Sequence, residues 1–294
     1  MKIITPVVIT DAKLVSSSIP ETDHPAWNAA TAYAEGDRVI LTSTHSIYQR
    51  LVAGTTAGSP DVDPANWQRV GPTNRWAMFD RAVGSLSTAT GSMTVTLAPG
   101  MVRGFALVDV NASTAVITMT SGVETVYSRT VDLRDGTNII DWESYFFGDF
   151  LRRKTLILTD LPPYGEAHVT VTISGGGTVS VGTVVVGSLF DLGISTHGMS
   201  LGIVDYSVKS TDAFGVTSVV ERAWAKRMTV PVVLDTFKVD EVHRRLASIR
   251  AVPVIWIGGD QLDQSVIYGF FKDWSIDVAY AAISYCSLTV EGLT

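Results

Sequence analysis

The feature that most constrains this chain is a two-residue alternation of apolar and small polar side chains, repeated segment after segment between Gly and Pro turns. Met93-Thr94-Val95-Thr96-Leu97 sets Met93, Val95 and Leu97 on one face and the threonines on the other. Only an extended strand alternates in this way, because successive side chains point to opposite sides of the pleat, whereas a helix needs apolar residues three and four apart. The pattern returns at Phe105–Val110, Ala115–Met119, Leu156–Leu158 and His168–Ile173. With no helical pattern between these strands, residues 73–186 are expected to form a central antiparallel β-sandwich. Val179–Val186, following Gly175-Gly176-Gly177, reads as the second arm of a hairpin.

A chain of 294 residues suits two or three folding units. Residues 1–23 read as an extended N-terminal arm, with Pro6 restricting its strand-forming part to an edge or unpaired position. Residues 24–72 form a small β unit. Its turns are Glu35-Gly36-Asp37, Ala57-Gly58-Ser59-Pro60 and Asp63-Pro64, and its strands are Arg38–Leu41 and Ser46–Leu51. Residues 187–294 read as a small α+β domain. Within it, Asp240 is the expected N-cap of a helix whose stripe is Val239, Val242, Leu246 and Ile249, with Glu241 and Arg245 four apart. The expected fold class is therefore mainly β.

Composition narrows the function classes. Charged residues are 17%, below the usual quarter, which suits surfaces that face other proteins. A net charge of −7 argues against nucleic acid, since phosphate binding needs Lys and Arg. No run approaches the ~20 apolar residues of a membrane span. Met1–Thr10 lacks the pattern of a secretory leader, so synthesis in the cytoplasm is expected.

Cys286 is the single cysteine and shares a strand face with Leu288 and Val290, which marks it as buried and inert. His24, His45, His168, His197 and His243 are scattered without metal-ligand spacing, and no metal or cofactor is expected. Gly198-Met199-Ser200-Leu201-Gly202 has the glycine-serine-glycine spacing of a nucleophile elbow. The residues after it are strand-like, where the elbow requires a helix. Asp132-Leu133-Arg134-Asp135-Gly136 is a turn, because Arg134 stands where a calcium ligand would be needed. No catalytic residues are assigned, and the chain is expected not to be an enzyme.

One constellation is specific. Ala26-Trp27, Tyr33, Gly36-Asp37-Arg38-Val39, Tyr48, Pro60 or Pro64, and Trp67 follow one another in order. This resembles the small chitin-binding carbohydrate-binding modules of families 5 and 12. The resemblance implies that Trp27, Tyr33, Tyr48 and Trp67 are the candidate carbohydrate-binding residues, since flat aromatic rings stack on pyranose faces. Trp27 and Tyr33 read as core, and Tyr48 and Trp67 as the better platform. Tyr48 is followed by Gln49-Arg50-Leu51-Val52 where many such modules carry adjacent aromatics, which admits reuse of the fold as a spacer or docking unit.

The wider chain resembles tail proteins of tailed bacteriophages. The resemblance rests on Thr5-Pro6 with Ile9-Thr10-Asp11, the junction Gly71-Pro72-Thr73-Asn74-Arg75-Trp76-Ala77-Met78-Phe79-Asp80, and Leu161-Pro162-Pro163. It continues in Asp205-Tyr206-Ser207 and Tyr268-Gly269-Phe270-Phe271-Lys272-Asp273. It implies a virion structural protein of the tail or its tip (baseplate), present as a homo-oligomer, joined to other phage tail proteins and touching cell-surface polysaccharide. A dedicated host-glycan adhesin and a glycan-degrading enzyme are the alternatives. The enzyme would need two of Glu143, Asp149, Asp205 and Asp212 across one cleft.

Overall fold

The computed structural model describes residues 1–55, 58–135, 141–147, 151–259 and 263–293. Ala57, Gly136 and Asp149, named above in two turns and as a candidate carboxylate, lie outside the described residues. The fold is mainly β. The N-terminal segment supplies β1 (Lys2–Pro6) and β2 (Leu14–Ser17). A separate three-stranded sheet is made by β3 (Arg38–Leu41), β4 (Ser46–Arg50) and β5 (Trp67–Pro72). There follow β6 (Ser87–Leu97), β7 (Gly104–Asn111), β8 (Thr114–Ser121) and β9 (Glu124–Asp132). The short ribbon of β10 (Arg134–Asp135) and β11 (Leu151–Arg152) flanks helix α1 (Trp142–Phe147), and β12 (Thr155–Leu158) comes next.

Strand β13 runs from His168 to Asp191. It leads through β14 (Ile194–Ser195), β15 (Ser200–Asp205), β16 (Val208–Thr211), β17 (Thr217–Val220) and β18 (Trp224–Asp235) to helix α2 (Val239–Ser248). The chain closes with β19 (Val254–Ile257), β20 (Val266–Asp277) and β21 (Ile283–Gly292). One antiparallel sheet joins most of these in the order β12-β7-β13-β1-β19-β20-β21-β18-β14.

The central core forms as the alternation requires. Met93, Val95, Leu97, Phe105, Leu107, Ile117, Met119, Val169 and Val171 are buried together, and the opposite-face threonines pair across strands, Thr94 with Thr172 and Thr96 with Thr170, each at 3.0 Å. The glycine triplet does not make a hairpin turn. β13 passes straight through Gly175–Gly177 as one strand, and its register against β6 shifts between Ser174 and Thr178, opposite Gly91. Its first half pairs with β8 and its second half with β7. The glycines therefore serve a bulged corner at which a long strand passes from one sheet of the sandwich to the other. Helix α1 was not expected from the alternation.

The N-terminal segment is an interior strand. β1 pairs with β13 over Lys2–Pro6 and with β19 over Lys2–Ile4. Pro6 is tolerated because it lies beyond the end of the β19 ladder. Val7 N–H bonds Val186 O at 2.8 Å, so by strand alternation the missing N–H of Pro6 points to the side that has no partner. β1 thus stitches the sandwich to the C-terminal region. Ile3 enters the core around Trp256, and Ile4 joins Ala106, Val185, Ile255 and Ile257 on the opposite face. The 186/187 boundary falls within β13, which runs unbroken to Asp191.

Helix α2 buries Val242 and Leu246 in the C-terminal core together with its C-cap Ile249, with Val239 packed against them. Its start differs from expectation. Lys238 occupies the N-cap without a side-chain bond, and Asp240 and Glu241 lie in the first turn, where the helix dipole favours acidic groups. Arg245 reaches back to the seam, bonding Ser188 Oγ at 2.8 Å and stacking over Phe190 at 5.5 Å.

Candidate functional site

The module motif is accounted for by folding. Gly36, at φ 89°, and Asp37 build a turn in which Gly36 N–H bonds Arg50 O at 2.9 Å and the Asp37 carboxylate accepts from Ala34 N–H at 2.7 Å. Val39, Tyr48 and Trp67 are the module's buried core, with Trp27, Tyr33 and Leu41 packed on them. Trp67 is 2% exposed, its ring covered by the Arg50 guanidinium at 5.0 Å and met by the edge of Tyr33 at 5.2 Å. Tyr48 is 6% exposed. The expectation that Tyr48 and Trp67 are the exposed pair is therefore corrected: these two are the core. Trp27 and Tyr33 are only half-buried, and the Tyr33 hydroxyl accepts from Asn28 N–H at 2.8 Å. A unit this small has few apolar groups, so the largest rings are drawn inside.

The junction Gly71–Asp80 fixes the module to the rest. Thr73 donates to Glu21 at 3.0 Å, Asn74 N–H bonds Asp23 at 2.7 Å, and Asn74 Oδ1 accepts from Thr88 N–H at 2.7 Å. Arg75 Nε bonds Ile19 O at 2.7 Å. His45 stacks on Trp76, with ring centroids 4.0 Å apart, and its two ring nitrogens lie 3.0 Å from Asp11 and 3.0 Å from Glu21. Sequence reading missed this hub because its members are far apart in the chain, although the junction itself stood out.

A cleft of about 390 Å³ beside the junction brings His45 together with Asp11 and Asp80. A cleft of about 210 Å³ lined from β7, β12, β20 and the start of β18 is bordered by Asp109, Lys154, Trp224, Lys226 and Tyr268. Burial pushes the Tyr268 hydroxyl up to about 12, beyond proton transfer near neutrality. Ser200 opens strand β15, with no helix after it. Asp132 is held by the Arg134 fork at 2.7 Å and falls to about 2. Cys286 is buried, and burial raises its thiol to about 11. Among the described residues no group of three His, Cys, Asp or Glu side chains could hold a metal, and no helix is long and apolar enough to cross a membrane.

The site that stands out is a projecting ribbon. β15 pairs with β18 and, beyond Asp205-Tyr206-Ser207, the ribbon continues as β16 against β17. Every residue from Val208 to Trp224 is exposed. At the tip the Asp212 carboxylate accepts from Phe214 N–H at 2.9 Å and Val216 N–H at 2.8 Å, with Gly215 at φ 84°, and Phe214 stands 93% exposed. At the root, the Tyr206 hydroxyl donates to Glu291 at 2.7 Å and Lys272 pairs with the same carboxylate at 3.2 Å. These two contacts hold Glu291 below its ordinary range, and the hydrogen bond to Glu291 raises Tyr206 above its own.

No family model matches the chain, and no curated protein matches it either.

Proposed function

We propose that this chain is a non-catalytic structural subunit of a tailed-phage tail, at its tip or baseplate, that joins other tail proteins. The observation that carries the reading is the ribbon of residues 200–224. It sets Val208, Val219 and Val220 in water on β16 and β17, which pair only with each other among the described residues, with Phe214 exposed in the turn at the tip and Ile203 and Trp224 exposed at the root on β15 and β18. A two-stranded ribbon is marginal in water, and this one carries apolar side chains on both faces, Val208 and Val220 on one and Val219 on the other, which a partner packed around it would cover. The remaining architecture suits load transfer. β1 locks two cores into one sheet, and the Glu21–His45–Trp76 hub fixes the module without a flexible linker. Three of the segments that resemble tail proteins fall on these joints: Thr5-Pro6 in β1, Thr73–Trp76 in the hub and Asp205-Tyr206-Ser207 at the ribbon root.

The test is to locate the chain in purified particles by mass spectrometry and cryo-electron microscopy. The expected result is stoichiometric presence, with density for the stitched sheet in the tail. A chain found only in the free lysate refutes the reading. Release of reducing ends from cell-wall polysaccharide would refute its non-catalytic part.

A further inference from the structure

We infer that His45 is a proton-controlled clamp: its charged ring locks the module to the N-terminal arm, and loss of the proton frees the module to move on its junction. The ring stands between two carboxylates of the arm. Its Nε2 lies 3.0 Å from Asp11 Oδ1, and its Nδ1 lies 3.0 Å from Glu21 Oε1. An ionised carboxylate only accepts hydrogen bonds, so both ring nitrogens have to donate. A neutral imidazole has one N–H and one lone pair, and only the imidazolium carries two N–H groups. The docked geometry is that of the charged ring.

Two further features hold the ring in this place. It lies flat on Trp76, with centroids 4.0 Å apart and planes 19° from parallel, and a cation over an indole face is attracted by the ring quadrupole. The backbone of His45 is left-handed, at φ 49°, a conformation that residues with a Cβ keep only where their surroundings impose it. Thr73 N–H fixes that turn by bonding His45 O at 2.9 Å.

The other charged groups around the ring decide which contact breaks. Arg69 and Asp80 line the same cleft, but Arg69 is turned to Ser46 Oγ at 3.0 Å and Asp80 accepts from Ser85 at 2.7 Å. Glu21 is 10% exposed and keeps Thr73 Oγ1 at 3.0 Å and Arg75 Nη1 at 4.0 Å. Asp11 is 77% exposed, and His45 is its only ion-pair partner among the described residues. A neutral ring therefore gives its one N–H to Glu21 and turns a lone pair on Asp11. Repelled, the Asp11 carboxylate moves into water, and the Thr10–Lys13 turn parts from the module while the Thr73–Glu21 bond keeps the junction tethered. The clamp is closed while the ring holds its proton and both carboxylates are ionised. It opens as pH rises through the titration of the ring, and again in strong acid as Asp11 and Glu21 take up protons. This device belongs to the chain itself, whatever the chain assembles with.

The experiment measures the distance between spin labels on Val62→Cys in the module and Val123→Cys at the turn after β8, both exposed positions in the full chain. Native Cys286 is buried and stays unlabelled. Pulsed dipolar spectroscopy is run at about pH 5 and about pH 9, on either side of the usual imidazole range. The expected result is one narrow distance at the lower pH and its loss to a broad distribution at the higher. Asparagine accepts a left-handed backbone and carries no proton-dependent charge, so His45→Asn should be broad at both. Asp11→Asn, at an exposed site, can donate its amide to the ring lone pair and should stay narrow at both. Circular dichroism confirms that each variant is folded, and Asp11→Asn alone decides the matter if His45→Asn is not. The same distribution at both pH values in the wild type would overturn the inference. So would an Asp11→Asn chain that still opens at the higher pH.

Discussion

Gly187 gives the sharpest test of the β1 insertion. A methyl group added there would lie 1.8 Å from Thr5 O, 2.7 Å from Thr5 C and 3.2 Å from Pro6 Cα. These are backbone atoms of the neighbouring strand and cannot rotate away, so β1 must retreat by more than about 1 Å at Thr5–Pro6 to restore ordinary contact. Retreat stretches the Val7–Val186 bond (2.8 Å) and separates Thr5 from Ser188 in the ladder. Overpacking costs about 1–3 kcal/mol. Two ladder bonds at about 1 kcal/mol each bring the expected loss for Gly187→Ala to about 3–5 kcal/mol. That is a large fraction of a typical stability of roughly 5–15 kcal/mol. Gly176 is the internal control. It sits in the same strand with open space where a Cβ would go and no left-handed φ, so Gly176→Ala should be neutral or stabilise by a few tenths of a kcal/mol. Urea unfolding of both variants, with hydrogen exchange at Thr5 and Val7, reads the difference. Wild-type stability and undiminished amide protection in Gly187→Ala would refute the account of β1 as a tightly inserted strand.

Acid should loosen the ribbon root. Glu291 is depressed by Tyr206 and Lys272, so its contribution is complete above the ordinary glutamate pKa and is lost as pH falls through its lowered folded value. Glu291→Gln should abolish the acid-dependent part of Tyr206 exchange or mobility measured by NMR. Cys286, at about 11 and buried, should resist alkylation at pH 8 in the native protein and react once urea unfolds the chain; rapid native labelling would contradict its placement. Trp67→Ala should cost the module about 3–5 kcal/mol through loss of core volume. Local unfolding seen by exchange at β3–β5 checks this, and a stable module in that variant would argue that Trp67 is a surface group.

Much of the fold was legible because alternation is local. Met93–Leu97, Ala115–Met119 and the stripe of α2 could be read from neighbouring residues and are buried as their period requires, whereas Phe105, Ala106 and Leu107 are all buried because β7 has a core on each face. The candidate site was legible only in part. Asp205-Tyr206-Ser207 stood out, yet nothing local announces that the strands after it leave the body of the protein. The exposure of Tyr48 and Trp67 could not be read from the motif, since a ring needed for packing and a ring needed for stacking are the same residue type.

By itself, then, the sequence determined which segments are extended, which face of each is apolar, where the turns fall, and that the thiol is a core group. The tertiary structure alone decided that β1 enters between β13 and β19, that β13 passes through three glycines without turning, and that residues 208–224 stand in solvent. The physical reason is that side-chain period and turn chemistry act over a few residues. Strand pairing joins residues as distant as Lys2 and Ile257, and it is set by the summed packing of both faces of a sheet, which no single segment contains.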